Sequence, residues 1–190
     1  MNIGIIKLGA KGDVIRTLPL LIGIKKKYSD SKITWVTKKD AEEIVMSSPY
    51  IDKIIIKPIN GNLKFDILYS LDTDEEATLL MKNIEADKKY GFYSENGFVN
   101  SYNLGGEYYL NTLFDDSVKK NNKKTYQEMI FEIAELPYNK EFHPLCLHEK
   151  HIQYAEHFLR ENKIEKDNLI GIHMGASNRW PSKVWHQDNI

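Results

Sequence analysis

The sequence contains one cysteine, Cys146, so no disulfide can close within the chain and a disulfide-stapled secreted scaffold is excluded. Arginine is scarce, with only Arg16, Arg160 and Arg179 in an otherwise lysine-rich chain. An excess of one charge is missing too. Twenty-six Lys and Arg face 27 Asp and Glu, for a formal net charge of -1. Such a chain has no global field to hold a nucleic acid or an anionic bilayer, and nucleic acid is not expected as a partner. No apolar run approaches the roughly 18 to 20 residues of a membrane span; the longest are short segments such as 18–24. The first residues show no basic-then-apolar leader. The expectation is a cytoplasmic protein, with any membrane contact peripheral, at the inner face of the plasma membrane. What is present is 190 residues at 42% hydrophobic, 11% aromatic and 28% charged, enough for one full α/β-sized domain and part of a second.

A β-branched run at 2–8 ends in Gly9-Ala-Lys-Gly-Asp13, and apolar residues then recur through Leu18, Leu21, Ile22 and Ile24. That pattern predicts strand, glycine loop and helix. Pro19 suits the helix start, and either Asp13 or Thr17 could open it. Further strands are expected at 32–37, 53–57, 66–71 and 88–92, with helices at 40–46 and 75–84 between them. Strands alternating with helices predict an α/β fold with a parallel, doubly wound sheet. Residues 93–103 read as a hairpin or ordered loop, 107–114 and 126–135 as helices, and the lysine-rich 119–124 as a solvated loop. Periodicity breaks at 137–144, so a linker is placed there, with domains at 1–145 and 146–190. A helix at 150–162 and a strand at 169–173 then open a second strand-loop-helix unit at Met174-Gly-Ala-Ser177.

The first glycine loop lacks the third glycine of a dinucleotide fingerprint, and Asp13 puts a negative charge where a pyrophosphate would lie. An oxidoreductase is disfavoured on that ground. Two readings of Asp13 stay open, a helix N-cap or a crevice carboxylate able to take a proton from a hydroxyl. The later segment, Gly175-Ala-Ser-Asn-Arg-Trp-Pro-Ser-Lys-Val-Trp185, joins small residues, hydroxyls and cations in the manner of a phosphate clamp, or forms a surface loop packed through its tryptophans. Asp72-Thr-Asp74 is formally a D-x-D metal motif, read here as capping or acceptor contact. His148, His151 and His157 lack zinc-ligand spacing and are read as helix-surface residues, so no metal site is expected. Cys146 is read as a buried or idle thiol.

The segments 5–19 and 170–185 together resemble glycosyltransferase family 9, the ADP-heptose:lipopolysaccharide heptosyltransferases and their relatives. Thr34-Trp-Val-Thr37, Ser48-Pro-Tyr-Ile-Asp52 and Phe65-Asp-Ile-Leu-Tyr-Ser-Leu-Asp72 resemble it too. The resemblance implies a GT-B architecture, two Rossmann-like domains with the acceptor held by the first and the nucleotide-sugar by the second. It implies inverting transfer of a sugar, a heptose from ADP-heptose, to a glycan or glycolipid acceptor of lipopolysaccharide-core type, without a cofactor or obligatory metal. By position, Asp13 matches the family's general base, with Gly9 and Gly12 in the acceptor-side loop. Lys183 matches a donor-phosphate contact, and Gly175, Ala176 and Ser177 match the small-residue loop beside the donor. Asn178 and Arg179 fall where loop length varies. The remaining donor segments would lie after Ile190, so a missing donor-domain half is an expected partner. The alternative is a non-catalytic or truncated α/β binding module that keeps only the acceptor side.

Overall fold

Ile3, Ile5 and Ile6 are wholly buried in β1 (Asn2–Ile6), as a β-branched run must be when helices or loops cover both faces of its sheet. In the computed structural model, residues 1–59, 61–143, 145–167, 169–173, 175 and 181–184 are described. They fall into two compact units, Met1–Cys146 and Leu147–Ile190.

In the first unit, β1 is followed by α1 (Lys11–Ile15), α2 (Leu20–Lys27), β2 (Lys32–Thr37), α3 (Glu42–Met46), β3 (Lys53–Ile56), β4 (Lys64–Ser70) and α4 (Glu75–Asn83). Then come β5 (Glu85–Glu95), β6 (Phe98–Ser101), α5 (Leu104–Phe114), α6 (Asp116–Asn121) and α7 (Tyr126–Ile133). The strands form one sheet in the order β3-β2-β1-β4-β5-β6, parallel except for the β5–β6 pair. From β1 the chain winds outward one way through β2 and β3. From β4 it winds the other way, so the crossover helices cover opposite faces. Val14, Leu21, Ile24, Val45, Ile130 and Phe131 pack with Ile3, Ile5, Ile33, Trp35 and Tyr69 on one side. Ala77 and Met81 of α4 pack with Ile6, Val36, Phe65 and Leu68 on the other. The winding reverses between β1 and β4, and in open α/β sheets ligands bind in the crevice beyond the carboxyl ends of the strands at such a switch point.

The parallel, doubly wound α/β sheet expected from the sequence is present, with four differences in its elements. No single helix runs from the glycine loop to Lys27. Pro19 has no N–H to give the carbonyl four residues back, so α1 ends at Ile15 and α2 starts after Pro19. The fifth strand is an 11-residue β5, parallel to β4 up to Gly91 and antiparallel to β6 from Phe92. Asn96 and Gly97, both at positive φ, turn this hairpin. Lys119 and Lys120, expected in a loop, lie on α6, which Asp115 caps by accepting from Ser117 and Val118 N–H. Cys146 is exposed, not buried.

In the second unit, α8 (Glu149–Glu161) forms where a helix was expected, its N-terminus capped by His148 Nδ1 accepting from Lys150 N–H at 3.2 Å. The strand expected at 169–173 is not formed; these residues carry no regular structure. A strand makes no backbone hydrogen bonds within itself, and among the described residues of this unit no other strand stands beside it.

Candidate functional site

Strand alternation aims Lys7, next in parity after Ile3 and Ile5, into the core side of the sheet at its carboxyl end. A buried ammonium there needs a partner. It has Asp72, which follows β4 on the adjacent strand: Lys7 Nζ is ion-paired to Asp72 Oδ1 and donates to the Leu71 carbonyl at 3.0 Å. The second carboxylate oxygen of Asp72 accepts from the N–H groups of Leu8 and Gly9, the latter at 3.1 Å. Both residues of the ion pair are more than 90% buried. Burial alone would push the Lys7 ammonium down, but Tyr126 and Asp72 outweigh it and hold its pKa above the usual lysine value. Asp72 thus staples the glycine loop to the switch point. The loop N–H groups of Leu8 and Gly9 are spent on this carboxylate.

Asp13 lies in the first turn of α1, but the N-cap is Ala10, which makes no side-chain cap. The capping reading of Asp13 is therefore set aside. Its half-exposed carboxylate faces Arg16 one helical turn on, with Oδ1 2.7 Å from the guanidinium. The other oxygen lies toward Gly9. A Cβ built on Gly9 would stand 3.4 Å from Asp13 Oδ2 and 3.1 Å from Asp72 Oδ1, so glycine there leaves open the space between the two carboxylates. Arg16 in turn lies over the Tyr126 ring, 3.7 Å from its centroid. Tyr126 is the first residue of α7, held by a capping box in which Thr125 and Glu128 bond reciprocally at 3.2 and 2.5 Å. Its hydroxyl is 2.9 Å from Thr17 Oγ1, which donates to the Asp13 carbonyl at 2.7 Å. A carboxylate so framed can accept a proton from a hydroxyl that enters the crevice.

Gly9, Gly12 and Asp13 share this edge, Gly12 being exposed with open space around it. Asp74, the second carboxylate of the D-x-D, caps α4 by accepting from Ala77 N–H at 3.1 Å. Both acidic residues of that motif are therefore engaged in protein contacts. Next to them, Glu76 bridges Lys38, at 2.8 Å, and Lys57, and these two cations hold its carboxyl below the usual range. In the second unit Lys183 ends a short 3-10 turn, Pro181–Lys183, and is exposed, as is Gly175. Ala176, Ser177, Asn178 and Arg179 lie outside the described residues. His151 and His157 sit on exposed turns of α8, His157 paired with Glu161 at 3.2 Å. Sequence reasoning missed Lys7 and Tyr126, and it read Asp72 as a cap or an acceptor contact where the structure makes it the partner of Lys7 and of the loop N–H groups. Only Lys7 left a signal, an ammonium at an inward position of a buried strand.

No family model matches the chain. A stretch of 59 residues, 31% of this chain, is 39% identical to lipopolysaccharide heptosyltransferase 1 of Campylobacter coli, 17% of whose length it covers. Among solved structures, a glycosyltransferase family 9 protein of Veillonella parvula is similar with a TM-score of 0.73 at 21% identity, over 97% of this chain and 56% of that one. The ADP-heptose lipopolysaccharide heptosyltransferase II of E. coli is similar with a TM-score of 0.52 at 13% identity, over 88% of this chain and 52% of that one. The chain thus spans about half the length of these structures. At such identities the likeness concerns the fold, and it bears out the expected resemblance to glycosyltransferase family 9.

Proposed function

We propose that this chain forms the acceptor-side half of an inverting glycosyltransferase, together with the start of its donor side. Asp13 is the general base. The proton of an acceptor hydroxyl passes to its carboxylate as the hydroxyl oxygen bonds to the anomeric carbon of the donor. The bond from that carbon to the nucleotide diphosphate breaks, and a single displacement inverts the configuration. The donor is a nucleotide-sugar, ADP-heptose by analogy with the E. coli structure, and the acceptor a glycan or glycolipid of lipopolysaccharide-core type, met at the inner face of the membrane. Lys183, with Gly175, Ala176 and Ser177, takes the donor phosphates, with no cofactor or metal in the reaction.

The observation that supports this reading best is the placement of Asp13. A half-exposed carboxylate, not consumed as a cap, stands at the switch-point crevice of a sheet whose fold is that of a family 9 structure. The test is Asp13→Asn in the complete protein, a change that keeps size and polarity and removes the proton acceptor. Donor binding by calorimetry should stay near wild type while turnover falls by roughly 10²–10⁴-fold. Turnover within a few-fold of wild type would remove Asp13 from the chemistry and favour a binding module.

A further inference from the structure

Arg16 is held from two directions at once. An exposed ion pair one helical turn apart contributes little alone and samples many geometries. A guanidinium lying on an aromatic face is more constrained, because stacking sets its plane and the plane decides which carboxylate oxygen its N–H groups can meet. Here the ring centroid is 3.7 Å away and the carboxylate contact 2.7 Å. Tyr126 is itself immobilised by the Thr17 hydroxyl at 2.9 Å, by edge-on packing against Tyr109 at 6.3 Å between centroids, and by the cap of α7. Asp13 Oδ1 is therefore occupied, whereas Oδ2 faces the space that Gly9 leaves open.

We propose that Tyr126 is a positioning residue that acts on Asp13 through Arg16. The ring lays the guanidinium flat, the guanidinium takes Oδ1, and Oδ2 alone is presented to the incoming hydroxyl. The inference rests on the reading of Asp13 as the base. Arg16 stays protonated throughout, and the only proton that moves is the acceptor's, to Oδ2. α7 follows α1 by more than a hundred residues, so this contact makes the aim of the base depend on a helix far along the chain.

The test compares Tyr126→Phe, which keeps the ring and loses the hydroxyl's bonds to Thr17 and Lys7, with Tyr126→Leu, which loses the ring as well. Arg16→Lys is the third variant, since an ammonium has a charge but no plane. In the complete protein, Tyr126→Leu and Arg16→Lys should lower kcat by roughly ten- to a hundredfold with KM for both substrates within about twofold, the size of effect expected from a misplaced reacting group. Tyr126→Phe should restore most of the rate. On the 190-residue chain, NMR should find the Arg16 side-chain N–H resonance displaced by the ring current in wild type and Tyr126→Phe, and undisplaced in Tyr126→Leu. This second readout stands whether or not the leucine variant turns over. Wild-type kcat in Tyr126→Leu with Asp13→Asn inactive would overturn this inference alone. An undisplaced Arg16 signal in wild type would do the same. An active Asp13→Asn enzyme would overturn the base assignment and this inference with it.

Discussion

Lys7 and Asp72 illustrate how one buried charge obliges another. Truncating Asp72 to Ala would leave the Lys7 ammonium buried without its counter-ion and the Leu8 and Gly9 N–H groups without their acceptor. We expect a loss of about 3–5 kcal/mol, the usual cost of breaking a buried pair by removing one partner. The double variant Lys7→Met with Asp72→Asn removes the orphaned charge while an amide oxygen still accepts from the loop, so it should recover at least half of that loss. Urea denaturation of the two variants decides this, and a double variant no more stable than Asp72→Ala would mean that the pair is not what holds the loop. A pH dependence follows from the same pair. Lys7 binds its proton more tightly folded than unfolded, so its contribution is complete below the unfolded value of 10.5 and is lost as pH rises through the higher folded value. The double variant should lack that alkaline decline. None of the pairing was legible in the sequence, because Asp72 lies 65 residues from Lys7 and only the sheet order places β4 beside β1.

At the scale of elements, the passage of β5 from its partner β4 to its partner β6 turns on one backbone conformation. Gly91 has φ +98°, and a Cβ there would run into the Ser70 carbonyl of the neighbouring strand. Gly97, in the hairpin turn, has φ +81° but open space around it. The two positions therefore separate strain from collision. Gly97→Ala should cost about 1 kcal/mol, the conformational penalty alone. Gly91→Ala should cost about 3 kcal/mol or more, and should also loosen the β4–β5 pairing. Equal costs in denaturation would show that the strand shifts to make room. The buried strands were readable because β-branched runs with turns at both ends leave few alternatives, as at 32–37, found as β2 (Lys32–Thr37). β5 was read too short, as 88–92, because Glu85-Ala-Asp87 is polar, and only its place beside β4 makes it strand. The break between α1 and α2 was written in Pro19, but a proline near a helix start and a proline between two short helices give the same local pattern.

For the molecule as a whole, the two units differ in what their elements bury. In the first, β1 and its helices enclose side chains such as Ile3, Ile5, Leu21 and Phe131 almost completely. In the second, α8 has no buried residue, and its apolar side chains Ile152, Tyr154 and Phe158 are 41, 70 and 47% exposed. A 13-residue helix without burial is marginal in water, since nucleation is costly and tertiary packing supplies most helical stability. Opening of α8 should therefore be local and far easier than opening of the sheet. In hydrogen exchange on the 190-residue chain, amides of residues 149–161 should exchange orders of magnitude faster than those of residues 3–6, which wait for global unfolding. Trypsin should accordingly cut first at Lys150, Arg160, Lys163 or Lys166 and leave a fragment close to residues 1–146 with an unchanged thermal transition. If α8 is protected as well as β1, or if that cleavage lowers the Tm of the remaining fragment, then the first unit does not carry its own stability and the Asp13 crevice depends on residues after Cys146.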